Sequence, residues 1–349
     1  MVVFNNYSTE NIEKHPIMLD EHSTCQNGVT LPDSSAIAKA IAISLTSIFI
    51  IAGNVLCLCV LNAPRSRGYF LETSRMLMTS LACTDCSMGI LVTSLCIYPA
   101  LFSCWPFGQF MCKVQAVLLS SLFHESTLSL TLIAVDRYIS ISFPLRYPSI
   151  IKRSTVTAAI VCTWFGCFIV YSIVVFVYDQ YYYDVIGVNC EPLYDNSNMT
   201  LAVMLLFYLL PGIIMIFCYS KVFHIALYQR SKQRSRSHST AQTRGRRSQN
   251  LLHFRATKTL GLITVGFFVA VTPWTITQLL ASLARVVIPV NLDFALTWLA
   301  ISNSAWNVLI YAVTNASFRK ATRLLMCHNV RSHRRDRVKL QYPPRSSGT

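Results

Sequence analysis

The feature that most constrains this chain is a series of apolar segments, each long enough for a helix to cross a bilayer. About 20 consecutive apolar residues span the hydrocarbon core of a membrane. Hydrophobic residues make up 53% of the 349 residues and charged residues only 13%, whereas soluble domains carry roughly 25% charged residues. Proline, glycine, asparagine or clustered charge separates the segments. The segments cover residues 37–61, 75–98, 112–141, 156–178, 201–227, 257–283 and 292–313.

In lipid the backbone must satisfy its own hydrogen bonds, so each of the seven segments is predicted to be a helix. The sequence therefore predicts an all-α membrane protein in which residues 37–313 form a seven-transmembrane helix bundle. Residues 1–36 are predicted to be an extracellular N-terminus, residues 314–327 a short amphipathic helix at the inner surface, and residues 328–349 a basic cytoplasmic tail. The third inner connection, 229–254, is rich in basic residues and holds no acid, which predicts disorder.

The distribution of Lys and Arg predicts the orientation of the bundle. Basic residues near helix ends stay in the cytoplasm, so the N-terminus is expected outside the plasma membrane and the tail inside. The basic inner segments are expected either to attract anionic lipid or to dock a cytosolic partner, and this location argues against nucleic acid. Of the 30 Lys and Arg residues, the only ones on the outer side are Lys14, Lys39, Lys113 and Arg285.

Short sequence patterns predict two kinds of covalent modification. Asn6 and Asn198 each begin an Asn-X-Ser/Thr sequon on the outer side, which predicts glycosylation. Cys327 follows the amphipathic stretch beyond the last segment, which predicts palmitoylation at the inner surface. An unmodified Cys327 is the alternative.

Four cysteines lie outside the apolar segments or at the start of one: Cys25, Cys104, Cys112 and Cys190. An even number of cysteines in an oxidising compartment favours disulfide pairing. A bond between Cys112 and Cys190 would tie the second outer loop over the bundle. Cys25 and Cys104 would then be left as a second pair, and the cysteines alone leave this pairing open.

An ionisable side chain inside a membrane span is costly, so each one is a candidate functional residue. Asp85 lies midway along the second segment, and oxygen ligands of this kind suit a hard monovalent cation. Asp85 is therefore interpreted either as a sodium site or as a protonated acid in a polar network that joins helices. The neutral polar residues at similar depth are Asn54, Ser126, Asn303, Ser304 and Asn307.

The third segment carries two further groups of ionisable residues. Asp136, Arg137 and Tyr138 end the segment at the inner face. Arg137 can extend beneath the bundle while Asp136 holds it, and a ligand at the outer end could bias its release; a solvated helix end is the alternative. His124 and Glu125 lie deeper and have no evident partner, so they are interpreted as neutral hydrogen-bonded side chains or as a sensor of protons or ligand.

A set of short motifs follows the seven segments in order. They are Gly53-Asn54-Val55, Leu81-Ala-Cys-Thr-Asp85, Trp105-Pro-Phe-Gly108, Asp136-Arg137-Tyr138, Trp164, Pro211 with Tyr219, Phe267 with Pro273, and Asn307-Val-Leu-Ile-Tyr311. In this order they resemble the rhodopsin-like (class A) G-protein-coupled receptors over residues 37–327. Within that family the chain is similar to the biogenic-amine branch and its orphan relatives.

The resemblance implies a receptor and not an enzyme. Its implied partners are a heterotrimeric G protein, arrestin, receptor kinases and a small extracellular ligand, and its one implied cofactor is a structural sodium ion. It also implies the outer disulfide between Cys112 and Cys190. The implied G-protein switch comprises Asp136, Arg137, Tyr138, Tyr219 and Tyr311. The implied sodium pocket comprises Asp85, Ser126, Asn303, Ser304 and Asn307.

The chain departs from the amine branch on the third segment. Leu119 stands where that branch carries an aspartate, 18 residues before Arg137, and a buried ammonium needs a counter-charge. A simple amine ligand is therefore not expected, and the apolar outer walls favour a neutral or lipidic small molecule. The implied ligand-pocket residues are Leu119, Ser120, Phe123, Trp274, Gln278, Thr297 and Ile301.

His253 stands where many members of the family carry an acid that restrains the switch arginine, which predicts high basal activity. Two other functional classes stay open: a heptahelical ion channel or transporter, and a membrane scaffold that couples to nothing. The sequence carries no internal repeat of the kind that transporters use. It also carries no catalytic pair, metal-spacing motif or glycine-rich phosphate loop, which argues against an enzyme.

Overall fold

The computed structural model describes most of the chain from the first apolar segment to the end of the predicted amphipathic helix. Over residues 65–67, 229–235 and 241–260 it describes the backbone alone. The described residues are 25, 32–194, 197–235, 241–284, 286–314, 316 and 318–325.

Several predictions fall outside these residues. The glycosylation site at Asn6, the palmitoylation site at Cys327 and the tail 328–349 all lie there. The side chain of His253 lies in the part where only the backbone is described. The predictions for these positions therefore stay predictions.

Seven helices are long and apolar enough to cross a membrane, which confirms the predicted helical bundle. We number them α1 to α7 and call the end at which α1 begins the outer end. Their bounds are α1 Ser34–Asn62, α2 Glu72–Phe102, α3 Gly108–Ser142, α4 Arg153–Val177, α5 Ser197–Tyr228, α6 Gly261–Ala284 and α7 Val290–Thr314.

The third inner connection differs from the predicted disorder. The helix that contains α5 continues to Ser235, and the helix that contains α6 already begins at Ala241. Most of residues 229–254 is therefore helical. Between Pro211 and Pro273 the sequence holds no proline. Arg, Lys, Gln and Ala are favourable helix formers, so the described residues can be helical although they are densely charged.

The outer halves of three helices depart from regular α-helical geometry. In α2, a wide π turn at Met88–Val92 precedes a tight 3-10 turn at Thr93–Cys96. A wide turn also ends α4, at Ile173–Val177. Another lies in α5 at Leu205–Leu209, just before Pro211. Each wide turn inserts an extra residue, which rotates the following part of the helix and changes the side chains that face the bundle.

The second outer loop, between α4 and α5, forms a β hairpin. Strand β1, Tyr181–Asp184, pairs antiparallel with strand β2, Asn189–Pro192. The indole Nε1 of Trp298 in α7 donates to the carbonyl oxygen of Gly187 at 3.1 Å. The turn of the hairpin is thereby attached to the bundle.

Two disulfides anchor the outer segments. Cys112, in the first turns of α3, is bonded to Cys190 of β2, as the resemblance implied. Cys25 is bonded to Cys104, which follows α2. The segment before α1 and the second outer loop are thus both tied to the outer end of the bundle.

Residues 318–325 form a short helix beyond α7. Phe318 and Ala321 on one face are 1% and 3% exposed, whereas Arg323 is exposed. One face of this helix therefore packs on the bundle and the other points away from it, as expected for the amphipathic helix predicted within 314–327.

The apolar core is continuous in the inner half of the bundle and divided in the outer half. The inner cluster of buried residues includes Leu77, Ile133, Phe267 and Tyr311, and it draws members from all seven helices. Two smaller clusters lie in the outer half. This division leaves room for a cavity between the outer ends of the helices.

Candidate functional site

An open cavity lies in the outer half of the bundle. The cavity and its open mouth together enclose about 770 Å³. Side chains from α3, α5, α6 and α7 form its walls, and Glu191 and Pro192 of β2 also line it. Most of the lining side chains are apolar or aromatic.

Six of the seven residues predicted for the ligand pocket line this cavity: Leu119, Ser120, Phe123, Trp274, Thr297 and Ile301. Gln278 does not line it, because it lies one helical turn beyond Trp274 toward the outer end of α6. The structure thus gives the positions of all seven residues, and their contact with a ligand stays a prediction.

His124 forms part of the cavity wall in a cluster of aromatic side chains. Its Nδ1 lies 2.7 Å from the carbonyl oxygen of Ser120 and 3.0 Å from the hydroxyl of Tyr171. The imidazole stacks on the Tyr171 ring with centroids 5.3 Å apart, and the Phe207 ring lies 4.7 Å away. The sequence indicated no evident partner for His124, because Tyr171 is 47 residues away along the chain and belongs to α4.

Trp274 brings an unused hydrogen-bond donor to the cavity. Its ring meets the Phe123 ring edge to face, with centroids 5.8 Å apart. The indole Nε1 is buried and has no hydrogen-bond partner in the part of the chain that the structure describes. A ligand with an acceptor atom at this depth would satisfy that donor.

Glu191 is an acidic residue of the cavity wall that the sequence of the helices does not reveal. The amide Nδ2 of Asn189 donates to its Oε1 at 2.8 Å, and the hydroxyl of Tyr182 donates to its Oε2 at 3.4 Å. Burial, with the charge of Glu191 nearby, raises the pKa of Tyr182 well above its usual value, so the phenol remains a donor. The signal that could have revealed Glu191 is its place directly after Cys190, since the disulfide fixes that strand above α3.

Asp85 lies at the centre of the predicted sodium pocket and is 0% exposed. Ser126 Oγ donates to its Oδ1 at 3.0 Å, and Asn307 Nδ2 donates to its Oδ2 at 2.8 Å. The side chain of Ser304 also forms a hydrogen bond with the carboxylate. Asn303, which precedes Ser304 in the chain, is buried as well. The Oδ1 of Asn307 is buried and has no partner among the described residues. This group of oxygen donors fits a monovalent cation, which Asp85, Ser126 and Asn307 Oδ1 would hold.

Glu125 is a second fully buried acid in the bundle, directed toward α4. The hydroxyls of Ser129 and Thr163 both donate to its Oε1 at 3.1 Å. Its Oε2 has no hydrogen-bond partner within the described ranges. The sequence showed no partner for Glu125, because Thr163 lies 38 residues away on another helix.

The guanidinium of Arg137 is restrained at the inner end of α3. Its Nη2 lies 2.8 Å from Asp136 Oδ2. Ser74 Oγ of α2 donates to the same carboxylate at 3.0 Å, and the hydroxyl of Tyr147 donates to Oδ1 at 2.7 Å. Burial raises the pKa of Tyr147, which keeps it a donor. The Asp136 carboxylate is thus fixed by two neutral donors, and it in turn fixes Arg137.

The other predicted switch residues lie in the inner half of the bundle. The Tyr138 ring packs against Phe217 of α5, with centroids 5.7 Å apart. The hydroxyl of Tyr219 bonds Thr264 of α6. Tyr311 is 2% exposed, and its hydroxyl has no partner among the residues that the structure describes. These tyrosines therefore differ: Tyr219 is already paired across helices, whereas Tyr311 is not.

Asn198 lies at the outer end of the bundle, in the first turn of α5, and its side chain is exposed. The third residue of its sequon, Thr200, is 7% exposed and accepts a hydrogen bond from Ser282 Oγ at 3.3 Å. Glycosylation at Asn198 stays a prediction.

Comparison with known proteins identifies relatives over most of the chain. The family model "7 transmembrane receptor (rhodopsin family)" matches residues 53–311. Trace amine-associated receptor 9 of Homo sapiens is 32% identical over 269 residues, which cover 74% of this chain and 76% of that protein. Trace amine-associated receptor 1 of Mus musculus is 29% identical over 317 residues, 88% of this chain and 95% of that protein.

The family match begins within α1 and ends within α7, so it includes part or all of every helix together with the cavity, Asp85 and Arg137. Its members are receptors and not enzymes. With seven helices that can cross a membrane, this chain belongs to the rhodopsin family of seven-transmembrane receptors, the class A G-protein-coupled receptors, which are multi-pass proteins of the plasma membrane.

Proposed function

We propose that the protein binds a small extracellular ligand in the outer cavity and activates heterotrimeric G proteins at the inner end. The single observation that carries this proposal is the restrained Arg137. Its guanidinium is paired with Asp136 at 2.8 Å, and Ser74 and Tyr147 hold that carboxylate in place. A charged group in a breakable ion pair at the end of a helix bundle supports two alternative states.

In the active state Arg137 leaves Asp136 and donates to the G protein. Its Nε is buried and has no partner in the described part of the chain, so the guanidinium already holds an unused donor. The hydroxyl of Tyr311 is a second unused buried group. Partners for these groups in the active state would offset the loss of the Asp136 pair, since an unsatisfied buried donor is costly.

Helices α3 and α6 connect the cavity with the inner end. Leu119 lines the cavity, and Arg137 lies 18 residues further along the same helix, about 27 Å away at 1.5 Å per residue. On α6, Trp274 lines the cavity directly after Pro273, which interrupts the helical hydrogen bonds. A ligand that binds one packing of Trp274 against Phe123 more tightly than another shifts the equilibrium by that difference in affinity.

The names of the relatives associate those proteins with trace amines, and we propose that this receptor likewise takes a small organic molecule. The N-terminus faces outward with Asn6 and Asn198 glycosylated, and the tail is cytoplasmic with Cys327 palmitoylated. Arrestin and receptor kinases act on the basic inner segments, which also lie against anionic lipid. A sodium ion at Asp85 stabilises the resting state, and His253 in place of a restraining acid permits high basal activity.

The deciding experiment measures nucleotide exchange by a panel of purified G proteins with the receptor in lipid nanodiscs. The wild-type receptor is expected to accelerate exchange on at least one Gα without added ligand, and Arg137→Ala is expected to abolish this. Arg146→Ala is the matched control, because Arg146 is an exposed arginine of the neighbouring loop. If no Gα responds, or if R137A equals the wild type, the proposal is wrong. Ion flux through receptor liposomes without G protein would favour the channel instead.

A further inference from the structure

Glu191 is the one charged side chain among the described residues that line the cavity. The surrounding walls are mostly aromatic or aliphatic, with Phe123, Tyr194, Phe207 and Trp274 among them, and their other polar side chains are neutral. A carboxylate beside an apolar cavity has lost part of its hydration, so it interacts strongly with a cation that enters the cavity. Aromatic faces add to this preference, because they attract cations as well.

The position of Glu191 is fixed by its neighbour in the strand. Cys190 is bonded to Cys112 of α3, and the backbone N–H of Cys190 donates to Gln115 Oε1 at 2.9 Å. Gln115 is 0% exposed, so this contact is enclosed in protein. Strand β2 is therefore held at the level of Gln115 on α3, and Glu191 is the next residue along it.

Gln115 and Leu119 are four residues apart and lie one above the other on the same face of α3. One helical turn is about 5.4 Å, so Glu191 is held about one turn nearer the outer end than Leu119. Leu119 itself is 6% exposed and packs in an apolar cluster with Leu122 and Ile301. At the depth of Leu119 the cavity is thus apolar, and its charge lies in the loop above.

We propose that Glu191 of the second outer loop is the counter-charge for a protonated amine ligand, whose ammonium binds at the mouth while its apolar body extends past Leu119 toward Trp274. This inference rests on the proposed function, since it names the ligand class of the same cavity. Asn189 and Tyr182 donate to the Glu191 carboxylate and orient it. The charge thus lies in the loop, and Leu119 on the third helix is part of the apolar wall.

The test uses amines and alcohols that are matched in shape, and the full-length receptor purified in nanodiscs. The pairs are 2-phenylethylamine with 2-phenylethanol, 2-cyclohexylethylamine with 2-cyclohexylethanol, and 4-phenylbutylamine with 4-phenylbutanol. The shift in thermal unfolding temperature is measured for each probe as a function of concentration. At least one amine is expected to stabilise the receptor at lower concentration than its alcohol, because only the amine carries a charge for Glu191.

Variants of the receptor assign the effect to Glu191. Glu191→Gln keeps an acceptor oxygen for Asn189 and is expected to weaken binding of that amine by about ten- to a hundredfold, while the alcohol is unaffected. Glu191→Asp keeps the charge and retains part of the affinity. Asp179→Asn is the matched control, because Asp179 is an exposed acid that precedes the same hairpin and pairs with Lys113. Leu119→Asp added to E191Q is expected to restore amine binding, which a merely structural role of Glu191 would not allow.

The proposal is overturned if the alcohols bind as well as the amines, if E191Q binds the amine like the wild type, or if none of the amines stabilises the receptor. The unfolding measurement contains no G protein, so a failure to couple leaves its result intact. Conversely, G-protein activation without any preference for amines would remove the role of Glu191 and leave the proposed function standing.

Discussion

The polar contacts at the two ends of the bundle join residues at different separations along the sequence. At the inner end, Asp136 pairs with the next residue, Arg137, and accepts from Tyr147 only 11 residues away. At the outer end, the cavity takes its walls from four helices and from a hairpin held by a disulfide between residues 78 positions apart. The wide π turns lie in the outer halves of α2, α4 and α5, whereas the inner halves of these helices are regular. The Asp136–Arg137 pair and its Tyr147 donor are therefore local in sequence, although Ser74 comes from α2, whereas the outer cavity depends on long-range attachment throughout.

Among the changes that test this comparison, removal of the outer disulfide is expected to have the largest effect on stability. Cys112→Ser with Cys190→Ser is expected to lower the free energy of unfolding by about 2–4 kcal/mol, since the bond closes a long loop. Because β2 then loses its attachment to α3, probe binding in the cavity should fall further than basal G-protein activation. Thermal unfolding, surface expression and nucleotide exchange measure the three quantities. Cys162→Ser is the control, because Cys162 is an exposed free cysteine; equal stability of the two variants would contradict the prediction.

Two tryptophans of the outer half provide a second comparison. Trp298 Nε1 donates to Gly187 O in the hairpin at 3.1 Å, whereas Trp274 Nε1 has no partner in the described residues. Trp298→Phe is expected to cost about 1–3 kcal/mol, because it leaves a carbonyl without its donor. Trp274→Phe removes an unused donor and is expected to cost less than Trp298→Phe, because no hydrogen bond is lost. Equal losses in the thermal unfolding of the unliganded receptor would show that these hydrogen bonds do not decide stability.

Sodium tests the middle of the bundle, between the two ends. A cation that binds only the folded receptor stabilises it by about 1.4 kcal/mol at ten times its dissociation constant. The unfolding temperature in NaCl is expected to exceed that in choline chloride at equal ionic strength. Asp85→Asn should remove the difference, whereas Glu125→Gln, a change at another buried acid, should leave it in place. A sodium effect that survives in D85N would refute the site.

The smallest expected effect is a change at the inner restraint. Tyr147→Phe removes one of the donors to Asp136 and leaves Ser74 and Arg137 in place. The loss of about 0.5–1.5 kcal/mol from the resting state should raise basal nucleotide exchange by about two- to tenfold. Tyr178→Phe is the control, because Tyr178 is an exposed tyrosine at the outer end. Unchanged or lower exchange in Y147F would mean that this contact does not hold Arg137.

The fold could be predicted from the sequence because each membrane span is a continuous apolar segment of about 20 residues. Asp136 and Arg137 were accessible because they are adjacent at a helix end. The partners of His124 and Glu125 were not, since Tyr171 and Thr163 lie on α4 and only helix packing brings them close.

The outer half held two further differences from the prediction. Gln278 was included in the pocket from its place on α6, although the cavity ends about one turn below it. Glu191 was not predicted, because the sequence does not show where a loop residue lies relative to the helices. The disulfide and Gln115 fix the position of its strand. In the inner half the regular helical period predicts which side chains face the bundle. In the outer half wide turns interrupt that period, and a loop adds side chains that it cannot predict.

The helix Ala241–Ala284 has a mechanical consequence. It is continuous past the membrane boundary, and Pro273 lies beside the cavity-lining Trp274. From Pro273 to Ala241 the arm is about 48 Å long at 1.5 Å per residue. If Pro273 serves as the pivot, a swing of about 5° carries the far tip through about 4 Å, while the ring next to the pivot shifts by a small fraction of that. The long arm thus magnifies a slight adjustment at Trp274 into a displacement large enough for a bulky protein partner at the inner end to sense.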